Sequence, residues 1–185
     1  FLIFVLSVIS LGVYSQGTPV DLGLSVKWAS CNLGATRPEG IGKFYAWGET
    51  RPKGSYSSFN CRTYKKEIGD DIAGTQYDAA RVNWGGKWRM PTASEIKELV
   101  TKCTFVQTQL NGAYGMKFTG PNGNSIFLPY SGYKSDSEIY NVYSYGYYWS
   151  STSRNIYSAR SFTIGHTNDS RDERCDGLTI RPVCP

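Results

Sequence analysis

WRMPTASEIKELVTKC, Trp88–Cys103, decides how this chain is to be read. Thr92 followed three residues later by Glu95 is a capping box: the threonine oxygen accepts from the Glu95 N–H, and the Glu95 carboxylate reaches back to the cap's own N–H. Ile96, Leu99, Val100 and Cys103 recur at the spacing of one helix face. Lys97 and Lys102 suit its outer side and its C-terminal end. The spacing predicts a helix over 93–102 that packs its apolar stripe on a sheet.

Away from this helix the pattern is extended. Met116 and Phe118, then Ile126, Phe127 and Leu128, flank Pro121-Asn122-Gly123, a hairpin signal. YYWSST (147–152), SARSFTIG (158–165) and GLTIRPVC (177–184) read as strands. Near the start, Val20, Leu22, Leu24, Val26 and Trp28 alternate and predict one further strand. KFYAWGE (43–49) reads as a short strand or loop, polar residues 50–76 as a long loop, and 77–83 as a short helix stopped by Gly85-Gly86. Strand, loops, one or two helices and then antiparallel strands make an α+β domain with antiparallel sheets and much loop. No internal repeat or linker divides it.

The first fifteen residues, FLIFVLSVISLGVYS, carry no charge and are too few to span a bilayer comfortably. With Val13 and Ser15 at the cleavage positions, they read as the apolar part of a secretory signal peptide, truncated at its start and cut before Gln16. Residues 16–185 then form a single exported domain, secreted or held at the cell surface, with no transmembrane segment. About 170 residues suffice for one sizeable core. The net charge of +5 is spread out. Many basic residues fall between Arg37 and Lys66, but with glutamates among them, which reads as a solvated face and excludes a nucleic-acid stripe. The five cysteines are an odd count, so at least one lacks a partner within the chain. The absence of C-x-x-C argues against structural zinc. Export permits disulfides, and the terminal strands would bring Cys31 to Cys184.

HTNDSRDERCDG, 166–177, concentrates the chain's one histidine with four acids, two arginines and a cysteine. It fails as an EF-hand. With Gly177 at the sixth loop position, Arg174 falls where an oxygen ligand is needed and Val183 where a glutamate belongs. A looser calcium site on Asp169, Asp172 and Asp176 competes with pairing of those acids to Arg171 and Arg174. Neither Ser151 nor Cys175 sits in a nucleophile motif that would make His166 a catalytic base. Glu49, Glu95 and Glu98 supply no recognisable glycosidase pair. Asn168-Asp169-Ser170 matches a glycosylation sequon. Binding is the chemistry the composition favours, because Tyr and Trp give stiff amphipathic area while Ser, Asn and Gly give adaptable hydrogen bonds. Trp149, Phe162 and Ile164 belong to the core. Arg154, Asn155, Tyr157, Arg160, Asn168 and Arg171 are surface residues.

VDLGLSVKWASCNLGA, FYAWGET, YDAARVNWGGKWRMPT, NGNSIFLP, GYYWSST and GLTIRPVCP occur in this order. Together they resemble the Fibrobacter succinogenes major paralogous domain family, common in secreted proteins of Bacteroidetes, over residues 20–185. The resemblance implies a C-type lectin-like fold of the kind shared with formylglycine-generating enzymes. That enzyme branch uses paired cysteines on the segment matching 147–155, and none stands there, so the resemblance implies no catalytic residue. The E-P-N, Q-P-D and W-N-D strings of calcium-dependent lectins are also missing, so it implies no metal and no cofactor. The chain also resembles the variable proteins of diversity-generating retroelements, whose ligand contacts lie in the segment matching 148–176. His166, Asp172, Arg174 and Cys175 depart from the Tyr, Ser, Asn and Gly usual there. The expected ligand face is therefore Arg154, Asn155, Tyr157, Arg160, His166, Asn168, Asp169, Arg171, Asp172 and Arg174. Its partner would be a protein or glycan at the cell exterior, bound without turnover. The alternatives are a structural or pilus-like envelope subunit, a calcium-dependent lectin, or an enzyme of the same fold.

Overall fold

Thr92 caps its helix in the way its spacing requires. In the computed structural model, which describes residues 16–165 and 173–185, the Glu95 N–H donates to Thr92 Oγ1 at 3.2 Å and the Thr92 N–H to Glu95 Oε2 at 2.8 Å. The helix, α2, runs Ala93–Lys102 and buries Ile96 and Leu99. A shorter α1, Ala79–Trp84, starts on the Asp78 carboxylate and ends at Gly85 with φ of 66°, a conformation that favours glycine. The expected leader, 1–15, and residues 166–172 lie outside the described residues.

Among the described residues ten strands complete the α+β fold: β1 (Pro19–Val20), β2 (Lys27–Ala29), β3 (Thr104–Leu110), β4 (Ala113–Thr119), β5 (Ser125–Pro129), β6 (Tyr133–Ser135), β7 (Glu138–Tyr140), β8 (Gly146–Ser153), β9 (Ala159–Ile164) and β10 (Val183–Cys184). They form antiparallel sheets β1-β2-β10, β3-β4-β5, β6-β7 and β8-β9. The expected hairpin is β4–β5, closed around Gly123 with φ of 86°. Asn111 and Gly112 take positive φ of 49° and 84° between β3 and β4, as a two-residue primed turn requires.

Two expectations change. Residues 20–28 do not form one strand. Asp21 accepts from the Gly23 N–H at 2.7 Å, Gly23 takes φ of 74°, and the chain folds back so that Pro19 pairs with Ala29. The alternation still buries Leu22, Val26 and Trp28, because the turn keeps these side chains on the inner side. Residues 177–184 are buried throughout, yet only Val183–Cys184 is regular strand. The segment changes partner along its length, from Lys134 to Tyr45 to Tyr148 to Trp28, and Pro182 has no N–H to give a ladder.

β8 divides the core. Side chains alternate across a strand, so Tyr147 and Trp149 enter a cluster with Trp47, Trp84, Trp88, Leu178 and Ile180. Tyr148 enters the other, with Trp28, Leu99, Phe118, Leu128 and Ile164. Helix α2 packs across β8 and β9. Arg181 is buried at 1% exposure and donates to Asn32 Oδ1, the Ala29 carbonyl and the Phe127 carbonyl at 2.8, 3.0 and 2.7 Å. It staples the last segment to β2 and β5 through neutral oxygens.

Candidate functional site

The β8–β9 hairpin carries the described part of the expected face. Its turn is built by Asn155, whose Oδ1 accepts from the Tyr157 N–H, the Ser158 N–H and the Ser158 hydroxyl at 2.8, 2.9 and 3.1 Å. Such a side chain closes a turn in place of backbone, so the Asn155 carbonyl oxygen is already engaged. Tyr157 is 46% exposed, with its ring edge-on to Tyr64 at 5.5 Å. Arg154 and Arg160 project from opposite sides of the turn. They line one open hollow of about 420 Å³ with Lys97, Ser94 and Ser161.

That hollow is cationic. Arg154, Arg160 and Lys97 are exposed, and no acidic side chain among the described residues lines it. Among the described residues the ion pairs are Lys53–Glu49, Arg89–Glu95 and Lys102–Glu98, which leaves Arg160 and Lys97 without a described acidic partner. Ser161 Oγ is buried there and has no hydrogen-bond partner among the described residues. Arg160 and Lys97, the two cations of the hollow without a described acidic partner, suit an anionic group.

Arg174 corrects the expectation that placed it on this face. It is 1% exposed. Its guanidinium lies 4.3 Å from the centre of the Trp47 ring, and it donates to the Lys66 and Thr63 carbonyls at 2.7 and 3.2 Å and to Ser153 Oγ at 2.7 Å. Burial holds its pKa below the usual arginine value. Its acceptors among the described residues are neutral, and its own N–H pairs with the Tyr157 carbonyl at 2.9 Å. His166, Asn168, Asp169, Arg171 and Asp172 lie outside the described residues.

Other candidates resolve by contact. Ser151 and Cys175 are buried. Glu49 is held by Lys53 and the Arg62 N–H, Glu95 by Arg89 and the Thr92 cap, and Glu98 by Lys102 and Ser25. Among the described residues no group of three or more His, Cys, Asp or Glu is placed to hold a metal, and no helix is long and apolar enough to cross a membrane. All five cysteines are free thiols, so the Cys31–Cys184 pairing is not formed. The register sets Cys184 opposite Lys27 instead.

One feature was not brought together by the sequence. Arg51, Arg62 and Lys66 surround a wider hollow of about 1020 Å³ with Gln76 and Tyr77. Its signal was the basic run before Lys66, which reads as solvated until the loop is seen to curl. The Lys65 N–H donates to the Ile156 carbonyl at 2.9 Å, so this loop abuts the β8–β9 turn. No protein-family model, curated protein or solved structure matches the chain.

Proposed function

We propose that this is an exported, non-catalytic binding module on a C-type lectin-like scaffold. It recognises an anionic group of a protein or glycan through the β8–β9 turn and the first turn of α2. One observation carries the reading: Arg154, Arg160 and Lys97, distant in sequence, line one hollow on elements braced by the core. The scaffold reading is supported by α2 starting directly after WRMPT and by the buried course of GLTIRPVC. Fold alone assigns no function, so the site has to supply it.

The test is calorimetric titration with sulfated and uronate oligosaccharides and with polyglutamate, for the wild type and for Lys97→Ser/Arg154→Ser/Arg160→Ser. Binding weakens by about tenfold or more, the equivalent of one charge-assisted hydrogen bond, and declines with salt. Unchanged affinity in the triple variant refutes the site.

A second reading, a structural subunit of the envelope, is favoured by β3. This edge strand carries no charged residue and exposes Phe105 and Val106 at 52% and 58%. Apolar edges of this kind pair with other chains. Size-exclusion chromatography of the wild type against Val106→Lys distinguishes it: assembly that the lysine abolishes supports the subunit reading, and a monomer in both removes it.

A further inference from the structure

Two of the five thiols meet. Cys61, in the long polar loop, and Cys175, just before the last strand segment, are buried in one small cluster with Phe44, Ala46 and Tyr56. Backbone and side-chain bonds hold the two strands of chain in place around them. Cys61 Sγ lies 3.5 Å from the Arg174 carbonyl oxygen, across 113 residues of sequence. That oxygen accepts from the Trp47 N–H at 2.9 Å, and Thr63 Oγ1 donates to the Trp47 carbonyl at 2.5 Å. The Arg174 guanidinium closes the stitch on the Thr63 carbonyl. The other three cysteines belong to other clusters, with Cys31 donating to the Ala35 carbonyl at 3.3 Å.

We propose that Cys61 and Cys175 form a disulfide in the presence of a disulfide oxidant, a cross-link that ties the long loop to the segment entering the last strand. The Cys61 thiolate attacks one sulfur of the incoming disulfide and expels the first thiolate, leaving a mixed disulfide. Cys175 gives up its proton and attacks the Cys61 sulfur, expelling the second thiolate. Two protein thiols are oxidised, one external disulfide is reduced to two thiols, and the two cysteine protons end on them. Cys61 is the attacking group. It is the more exposed of the two, at 8% against 3%. The neighbouring Cys175 thiol holds the Cys61 pKa below the usual thiol value against the opposing effect of burial, while Cys175 is raised by Cys61 and by burial. The inference is independent of the ligand proposed above.

The experiment oxidises the full chain with oxidised glutathione, alkylates it under denaturing conditions without reductant and maps the peptides. The expected map links Cys61 to Cys175 and leaves Cys31, Cys103 and Cys184 alkylated. Adding reductant lowers the melting midpoint by roughly 10 °C, the scale for opening a covalent loop this long in a domain of this size. Cys175→Ser stalls with glutathione on Cys61. Five alkylated cysteines after oxidation, or Cys61 linked to any other cysteine, overturns the proposal. If the serine variant fails to fold, the wild-type map still decides.

Discussion

Replacing Arg174 with alanine separates a buried staple from a ligand contact. The side chain satisfies the Lys66 and Thr63 carbonyls and Ser153 Oγ and stacks on Trp47. Its removal strands buried acceptors at about 1 kcal/mol or more each, loses a cation–π contact of about 1 kcal/mol and leaves a void beneath the indole. Relief of the desolvation of a buried charge offsets part of this, giving a net loss of about 2–3 kcal/mol. Urea unfolding reads it directly: at roughly 2 kcal/mol per molar of urea the midpoint falls by about 1 M or slightly more. In a thermal scan the loss is on the order of 5–10 °C. Arg174→Lys recovers less than half, because an ammonium cannot fork between two carbonyls and a hydroxyl while lying flat on a ring. A midpoint within about 0.5 kcal/mol of wild type, the range of ordinary surface changes, would refute the burial argument and return Arg174 to the ligand face.

Two further perturbations test the frame. Burial works to raise the Glu95 pKa, but hydrogen bonds from Arg89 and the Thr92 N–H outweigh it and leave it lowered. Its stabilisation is therefore complete above the ordinary glutamate range and is lost as pH falls through the depressed folded value. Melting curves of wild type and Glu95→Gln should differ at neutral pH and converge below about pH 4; a gap that does not change with pH contradicts the ion-pair and cap account. Gly120→Ala places a Cβ 2.0 Å from the Leu22 carbonyl oxygen, where β4 leaves its sheet against the N-terminal turn. We expect a loss of about 2 kcal/mol or more in thermal unfolding. Gly54→Ala, with nothing within 4 Å and no positive φ, should melt like the wild type. Equal midpoints for the two variants would remove the close approach as a cause.

Sequence alone determined what depends on neighbours within a few residues. The Thr92–Glu95 cap, the stripe of α2 and the β4–β5 turn are local bargains between side chain and backbone, and each formed at its expected place. The exposure of Arg154, Asn155, Tyr157 and Arg160 was equally legible, since polar side chains in a turn remain in water. The Asn111-Gly112 turn also stands in the sequence, and it makes β3 a partner of β4. At 20–28, alternation marked the buried side chains correctly, while the Asp21–Gly23 turn took precedence over strand geometry. Tertiary structure decided the rest. Arg174 is withdrawn from the surface by acceptors that lie 108 and 111 residues away in sequence. Lys97 joins Arg154 and Arg160 only when α2 is laid against β8 and β9. Cys61 meets Cys175 only when the polar loop curls back. A local pattern fixes which groups can stay in water or leave it; the partner that makes burial of a charge or thiol tolerable is set by the packing of distant segments.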